Sequence, residues 1–294
     1  MIKVVLYTAL ALVAFALNSI LCRLALRGDE ADAVGFTGVR LASGAITLIT
    51  LSYFLTKRNT GSKRGSWFSA FFLFAYAVCF SFAYLGLTAA TGALILFGSV
   101  QISMIGIAIL RGERPSPFEW LGLAVALSGL IYLVYPGLSA PPLVSSVLMA
   151  AAGMSWAGYT LRGRGSSDPL ADTTGNFVRS LPMIAAVALA FIPNLHLSER
   201  GIVLAALSGA FASGVGYTVW YTALKFHTST RAAILQLAVP VIAAAGGVLL
   251  LDESASVRLG LAGALILGGI ALTLIRKQKA IRPRVGSPLL SVDV

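Results

Sequence analysis

The chain has 294 residues, 57% of them hydrophobic and only 11% charged, with a mean hydropathy of +0.87. A soluble domain carries about 25% charged residues, so this composition is that of a membrane protein and excludes collagen, coiled coil and disorder. The formal charge of +11 does not point to nucleic acid, because the basic residues sit in short segments between apolar stretches, where cytoplasmic retention of Lys and Arg places them.

A spanning helix needs about 20 apolar residues. Ten such stretches follow one another at 3–26, 33–56, 66–87, 91–110, 117–135, 143–162, 172–193, 201–224, 229–250 and 256–275, separated by charges, Pro, Gly, Ser or Asn. The expected fold is therefore an all-α integral membrane protein of ten helices. Ala14, Phe15 and Ala16 imitate a signal-peptidase site, but the apolar run continues well past them, so the first stretch reads as a span. The third and fourth stretches run together without an intervening charge, and charge asymmetry decides whether they are one span or two. With ten spans, Lys3, the clusters at 57–64 and 111–114, Arg162, Arg164, Lys225, Arg231 and five residues from Arg276 to Arg284 share one face. That face then holds sixteen of the 22 basic residues, and merging the two stretches would move eleven of them across. Ten spans with both ends cytoplasmic is the expected topology, with 277–294 a cytoplasmic tail outside the fold. Cys22 and Cys79 lie inside apolar runs, so they form no disulfide framework and read as packing residues.

The chain repeats itself. A shift of 140 places Gly106 on Gly246, Glu113 on Glu253, Leu121 on Leu261 and Gly129 on Gly269; a shift of 139 places Val39-Arg40 on Val178-Arg179, and 137 places Tyr84 on Tyr221. Residues 1–138 and 139–276 are thus expected to be two five-span copies. Five is odd, so the second copy enters the bilayer in the opposite sense. Inverted repeats of this kind enclose a site near the midplane and expose it alternately to each side. Small residues at Ala205, Gly209 and Ser213, and at Ala264 and Gly268, are expected at helix contacts.

Few residues within these spans can do chemistry. Arg40 and Arg179 are the charged ones, about two turns into the second span of each copy; each either grips a substrate carboxylate or serves the scaffold by snorkelling or capping carbonyls. The eleven acids lie outside the spans or at their ends, so no midplane carboxylate is available as a proton relay. Transport is expected to be facilitated movement or exchange. His196 and His227 read as solvated loop residues, and Glu113 and Glu253 as charge complements to the helices that follow them. A pocket is best supplied by three aromatic stripes: Tyr76, Phe80 and Tyr84; Trp156 and Tyr159 after Gly153; and Tyr217, Trp220 and Tyr221. Asn18, Gln101 and Gln236 add donors and acceptors. Trp156 and Gln236 are the foremost candidates, the latter because Pro240 follows it and a helix break would free carbonyls there. The spans supply no nucleophile with its base and no metal-ligand cluster, so neither an enzyme nor a cofactor is expected.

Two halves with an Arg near the start of the second span and a Glu after the fourth resemble the drug/metabolite transporter superfamily, specifically its ten-helix EamA-type members. The second half carries the likeness in Trp220-Tyr221-Thr222-Ala223-Leu224, in the run from Arg231 through Gln236 and Pro240 to Ala244, and in Asp252-Glu253. It extends over about residues 3–276. The first half departs from it, with Val100 where the second has Pro240. The resemblance implies a carrier of the plasma membrane, the inner membrane in a bacterium, that exports small metabolites. Aromatic or neutral amino acids are the nearest substrate class, and drugs, nucleotide sugars or phosphate esters are the alternative. It places the sixth span, with Trp156, beside the cavity. The partners expected are a small-molecule substrate and the lipid bilayer, with no nucleic acid, and a monomer is compatible with all of this.

Overall fold

In the computed structural model, residues 2–55, 65–87, 89–112, 115–134, 142–250 and 257–274 are described. Glu113, Glu253 and the tail 277–294 lie outside them. The described helices follow the ten apolar stretches: α1 (Ile2–Arg27), α2 (Ala33–Leu55), α3 (Trp67–Gly86), α4 (Ala89–Leu110), α5 (Pro117–Val134), α6 (Leu143–Gly163), α7 (Pro169–Ala190), α8 (Glu199–Leu224), α9 in two pieces (Ser229–Gln236 and Ala238–Leu250), and α10 (Val257–Leu274). Four of them, α1, α2, α3 and α8, are long and apolar enough on their own to cross a bilayer. Among the described residues, extended pairing is confined to one isolated antiparallel bridge, Ala31 with Leu197.

Helix starts are set by side chains that accept the free N–H groups of the first turn. Ser66 caps α3, Ser198 caps α8, Thr228 caps α9, and Asp168 caps α7. The Asp168 cap, with Pro169 in the first turn, starts α7 three residues before the expected position, since Pro loses nothing where its N–H would be unsatisfied. Helices α3 and α4 are separate, as the charge asymmetry requires.

The first five helices interleave with the last five. Helix α5 packs along α10, α3 and α4 along α6, α2 along α7 and α8, and α1 along α8 and α9. In lipid no hydrophobic force drives helices together, so close approach at small residues carries the packing. The α5–α10 seam shows it. Gly129 faces Leu265 and Ile266, and its counterpart Gly269 faces Gly122 and Ala126. This corrects the expected contact at Ala264 and Gly268: both are exposed, on a groove shared with Val125 and Leu261, because the seam runs one residue further round the helix. Ala205, Gly209 and Ser213 are buried as expected.

Loops tie the helices at both ends. Asp32 Oδ1 accepts the N–H groups of Val34 and Gly35 at 2.9 Å while its Oδ2 accepts that of His196 at 2.7 Å. On the other loop pair, Asp172 and Asn176 of α7 accept the N–H groups of Gly65 and Ser66, each at 2.9 Å. Gly65 has φ +66, which a residue with a Cβ rarely adopts. His196 is exposed as expected, but His227 is not a freely solvated residue: it is half-buried, with Nε2 3.1 Å from Thr8 Oγ1 on α1.

Candidate functional site

Arg40 of α2 is 1% exposed. Its Nε donates to Ser213 Oγ at 3.0 Å, and its Nη2 donates to the hydroxyls of Tyr217 at 2.7 Å and Tyr76 at 3.3 Å. The guanidinium carbon also lies over the rings of Tyr76 and Phe80, 5.3 and 5.4 Å from their centroids, a cation–π arrangement. Asn18 of α1 completes the cluster, donating Nδ2–H to Ser213 Oγ and Tyr217 OH, each at 3.2 Å, and accepting from Ser208 Oγ at Oδ1. Nη1 of Arg40 has no hydrogen-bond partner among the described residues.

The backbone of α8 explains how two serines five residues apart reach one asparagine. In a regular α-helix such residues point about 140° apart. Between Ser208 and Val215, α8 widens into a π-helical segment, a form that occurs frequently at functional sites. The wider turns bring Ser208 and Ser213 together toward α1 and α2. Gly209 in the same segment lies so close to α2 that a Cβ there would overlap the carbonyl oxygen of Arg40 and the hydroxyl of Ser43. Sequence reasoning did not find Ser208 or Ser213 as polar partners; their signal is the Ser and Gly enrichment from Ser208 to Gly216.

Trp156 of α6 joins the stripes. Its ring centroid is 4.7 Å from Tyr217, 5.1 Å from Tyr76, 5.1 Å from Phe15 and 5.9 Å from Tyr159. Its Nε1–H donates to Gln236 Oε1 at 2.6 Å. Gln236 in turn donates to Ala232 O at 3.2 Å and lies 3.5 Å from Met104 Sδ. The break in α9 falls at Leu237, directly after Gln236 and ahead of Pro240, whose missing N–H deprives the Gln236 carbonyl of its i+4 donor. Helix α4, with Val100 in the matching place, is continuous.

The remaining candidates divide. Phe80 packs on Tyr76 and Tyr84 at 5.4 and 4.7 Å, Trp220 packs on Phe15 at 5.5 Å, and Tyr221 packs on Tyr159 at 5.4 Å. Gln101 of α4 donates Nε2–H to Ala233 O, and its Oε1 has no partner among the described residues. Arg179 is only half-buried and donates Nη1–H at 2.9 Å to Gly175 O on its own helix, so the two arginines matched in sequence occupy different environments. Phe15, Ser19, Tyr76, Phe80, Leu96, Phe97 and Trp156 line a central cavity of about 10 Å³. That is room for about one water molecule.

The EamA-like transporter family model matches residues 2–135 and 144–275. The chain belongs to the EamA-like transporter family. An uncharacterized Pseudomonas aeruginosa protein is 50% identical over 272 residues, covering 92% of this chain and 94% of its own. A probable amino-acid metabolite efflux pump of Escherichia coli is 28% identical, covering 72% and 76%, and an uncharacterized transporter of Bacillus subtilis is 27% identical, covering 87% and 89%. A crystal structure with 20% identity superposes with a TM-score of 0.74, covering 94% of this chain and 99% of the other, and so shares the fold. The EamA chain is a multi-pass membrane transporter with a two-repeat, all-helical fold, and its partners are a small molecule and the lipid around it.

Proposed function

We propose that this EamA transporter carries neutral and aromatic amino acids out of the cell by alternating access. It does so as a carrier rather than an enzyme or channel, in the plasma membrane with both chain ends cytoplasmic. Residues 1–138 and 139–276 are the two inverted halves that rock about the chamber. The carrying observation is the aromatic chamber around the central cavity. Trp156 and Tyr76 meet at it from helices of the two halves, with Tyr217 packed on Trp156 and Gln236 bonded to the Trp156 indole. A mostly apolar pocket with a few convergent polar groups suits a small molecule with an apolar side chain. Trp156, Tyr76 and Phe80 form its walls, Tyr84, Tyr159, Trp220 and Tyr221 form the aromatic packing behind them, and Gln236 and Asn18 fix its polar frame; Arg179 serves the scaffold. The name of the Escherichia coli relative supports the substrate class.

The test is counterflow. Purified protein in liposomes preloaded with unlabelled phenylalanine or leucine should accumulate the labelled amino acid transiently and saturably. A flux that rises linearly with concentration and ignores the trans amino acid contradicts a carrier.

A further inference from the structure

We infer that the chamber selects a zwitterion, with the substrate carboxylate on Nη1 of Arg40 and the substrate ammonium toward Oε1 of Gln101. This rests on the amino-acid carrier reading above and deepens it.

A guanidinium buried in a bilayer is costly unless paired. Arg40 is almost wholly buried, yet its partners among the described residues are neutral hydroxyls and aromatic faces. Among the described helices, carboxylates within a helix occur in first turns, at Glu119, Asp172 and Glu199, and none of these bonds Arg40. The side chain thus keeps its charge and one unused edge. That edge belongs to a guanidinium stacked on Tyr76 and Phe80, two rings that line the central cavity. An anion would complete it, and a carboxylate is the anion that an amino acid supplies.

Gln101 supplies the complementary group. It lies four residues after Phe97, a cavity residue, on the same face of α4. Its amide N–H is committed to Ala233 O, which leaves Oε1 as a buried acceptor without a donor among the described residues. An ammonium group is a donor and is also attracted by the aromatic faces around the chamber. Among the described residues there is thus an unmet donor stacked on two rings of the cavity wall and an unmet acceptor one helical turn from a third wall residue, Phe97, and an α-amino acid meets both. An amine without a carboxylate would add a second cation beside Arg40, and a carboxylate without an ammonium would leave Gln101 unmet.

The experiment is competition for phenylalanine counterflow in liposomes holding the full chain, using L-phenylalanine, phenethylamine and 3-phenylpropionate. Phenethylamine should compete at least about 100-fold more weakly than phenylalanine, since a site built to bond a group can reject an analogue lacking it by up to about 10⁴–10⁵. Phenylpropionate should fall between them. The wild-type series needs no variant, which matters because Arg40 joins three helices and R40Q is open to misfolding. Two variants divide the roles: R40K should lose most of the preference for phenylalanine over phenethylamine, and Q101L should weaken phenylalanine about tenfold while leaving phenylpropionate unchanged. Equal competition by phenethylamine and phenylalanine overturns the inference while leaving the carrier reading intact. Equal competition together with a requirement for chloride identifies a chloride ion on Nη1 and also overturns it. No phenylalanine counterflow at all overturns both readings.

Discussion

Trp156 and Gln236, 80 residues apart in the chain, meet through an indole N–H donated to an amide oxygen at 2.6 Å inside the bundle. Removing one partner leaves the other buried and unsatisfied, which costs about 1–3 kcal/mol. W156F, which keeps a ring, and Q236L, which keeps volume, should each lower thermal stability in detergent. The double variant should lose less than the sum, by about 1 kcal/mol. Strict additivity would mean that the bond contributes nothing.

At Gly209, α8 approaches α2 closely. G209A would place its Cβ against backbone and hydroxyl atoms of Arg40 and Ser43, and overpacking of this kind costs about 1–3 kcal/mol. Gly106 on α4 has open space where its Cβ would stand, so G106A should be neutral or stabilising by up to about 1 kcal/mol. Heating each variant and measuring the monodisperse fraction separates them; equal behaviour would contradict the close approach.

His227 gives the protein an acid-sensitive joint. Thr8 Oγ1 donates to Val4 O at 2.8 Å, so it accepts from His227 Nε2–H at 3.1 Å. That leaves Nδ1 buried and without a hydrogen-bond partner among the described residues. Burial first, and the neighbouring Arg231 second, push the imidazole down to about 4. The folded state thus resists protonation that the unfolded state accepts near pH 6.5. Stability is full above pH 6.5 and is lost as pH falls toward 4. Melting temperatures at pH 7 and 4.5 should differ less in H227Q, whose amide N–H replaces Nε2–H, than in the wild type. An unchanged difference would remove His227 from this role.

The proposed energy coupling rests on where the acids lie. Among the described helices they are Glu119, Asp172 and Glu199, all in first turns, so the proposed cycle uses no midplane carboxylate to carry a proton. Liposomes with a large imposed proton gradient and equal amino acid on both sides should show no net accumulation. Concentrative uptake under those conditions contradicts the proposal.

Helix number and course were legible in the sequence because a bilayer demands about 20 apolar residues per crossing and sorts the charges between them. The α9 break was legible in Pro240. The π-helical segment of α8 was not, since Ser208, Gly209, Ser213 and Gly214 fit a small-residue packing face equally well. The α5–α10 seam was misplaced by one residue because Gly268 and Gly269 differ in nothing but their angle on the helix. Arg40 and Arg179 look equivalent in the repeat. Arg40 meets tertiary partners, Ser213 and Tyr217, whereas Arg179 bonds the Gly175 carbonyl of its own helix, and pattern alone does not carry that difference.

The most direct measurement is the half-saturation of phenylalanine counterflow for wild type, W156A and Q236A, each monodisperse in detergent before reconstitution. A chamber centred on Trp156 requires half-saturation to rise about tenfold or more in both variants, or flux to vanish. Unchanged affinity and rate in both would place the substrate elsewhere in the bundle.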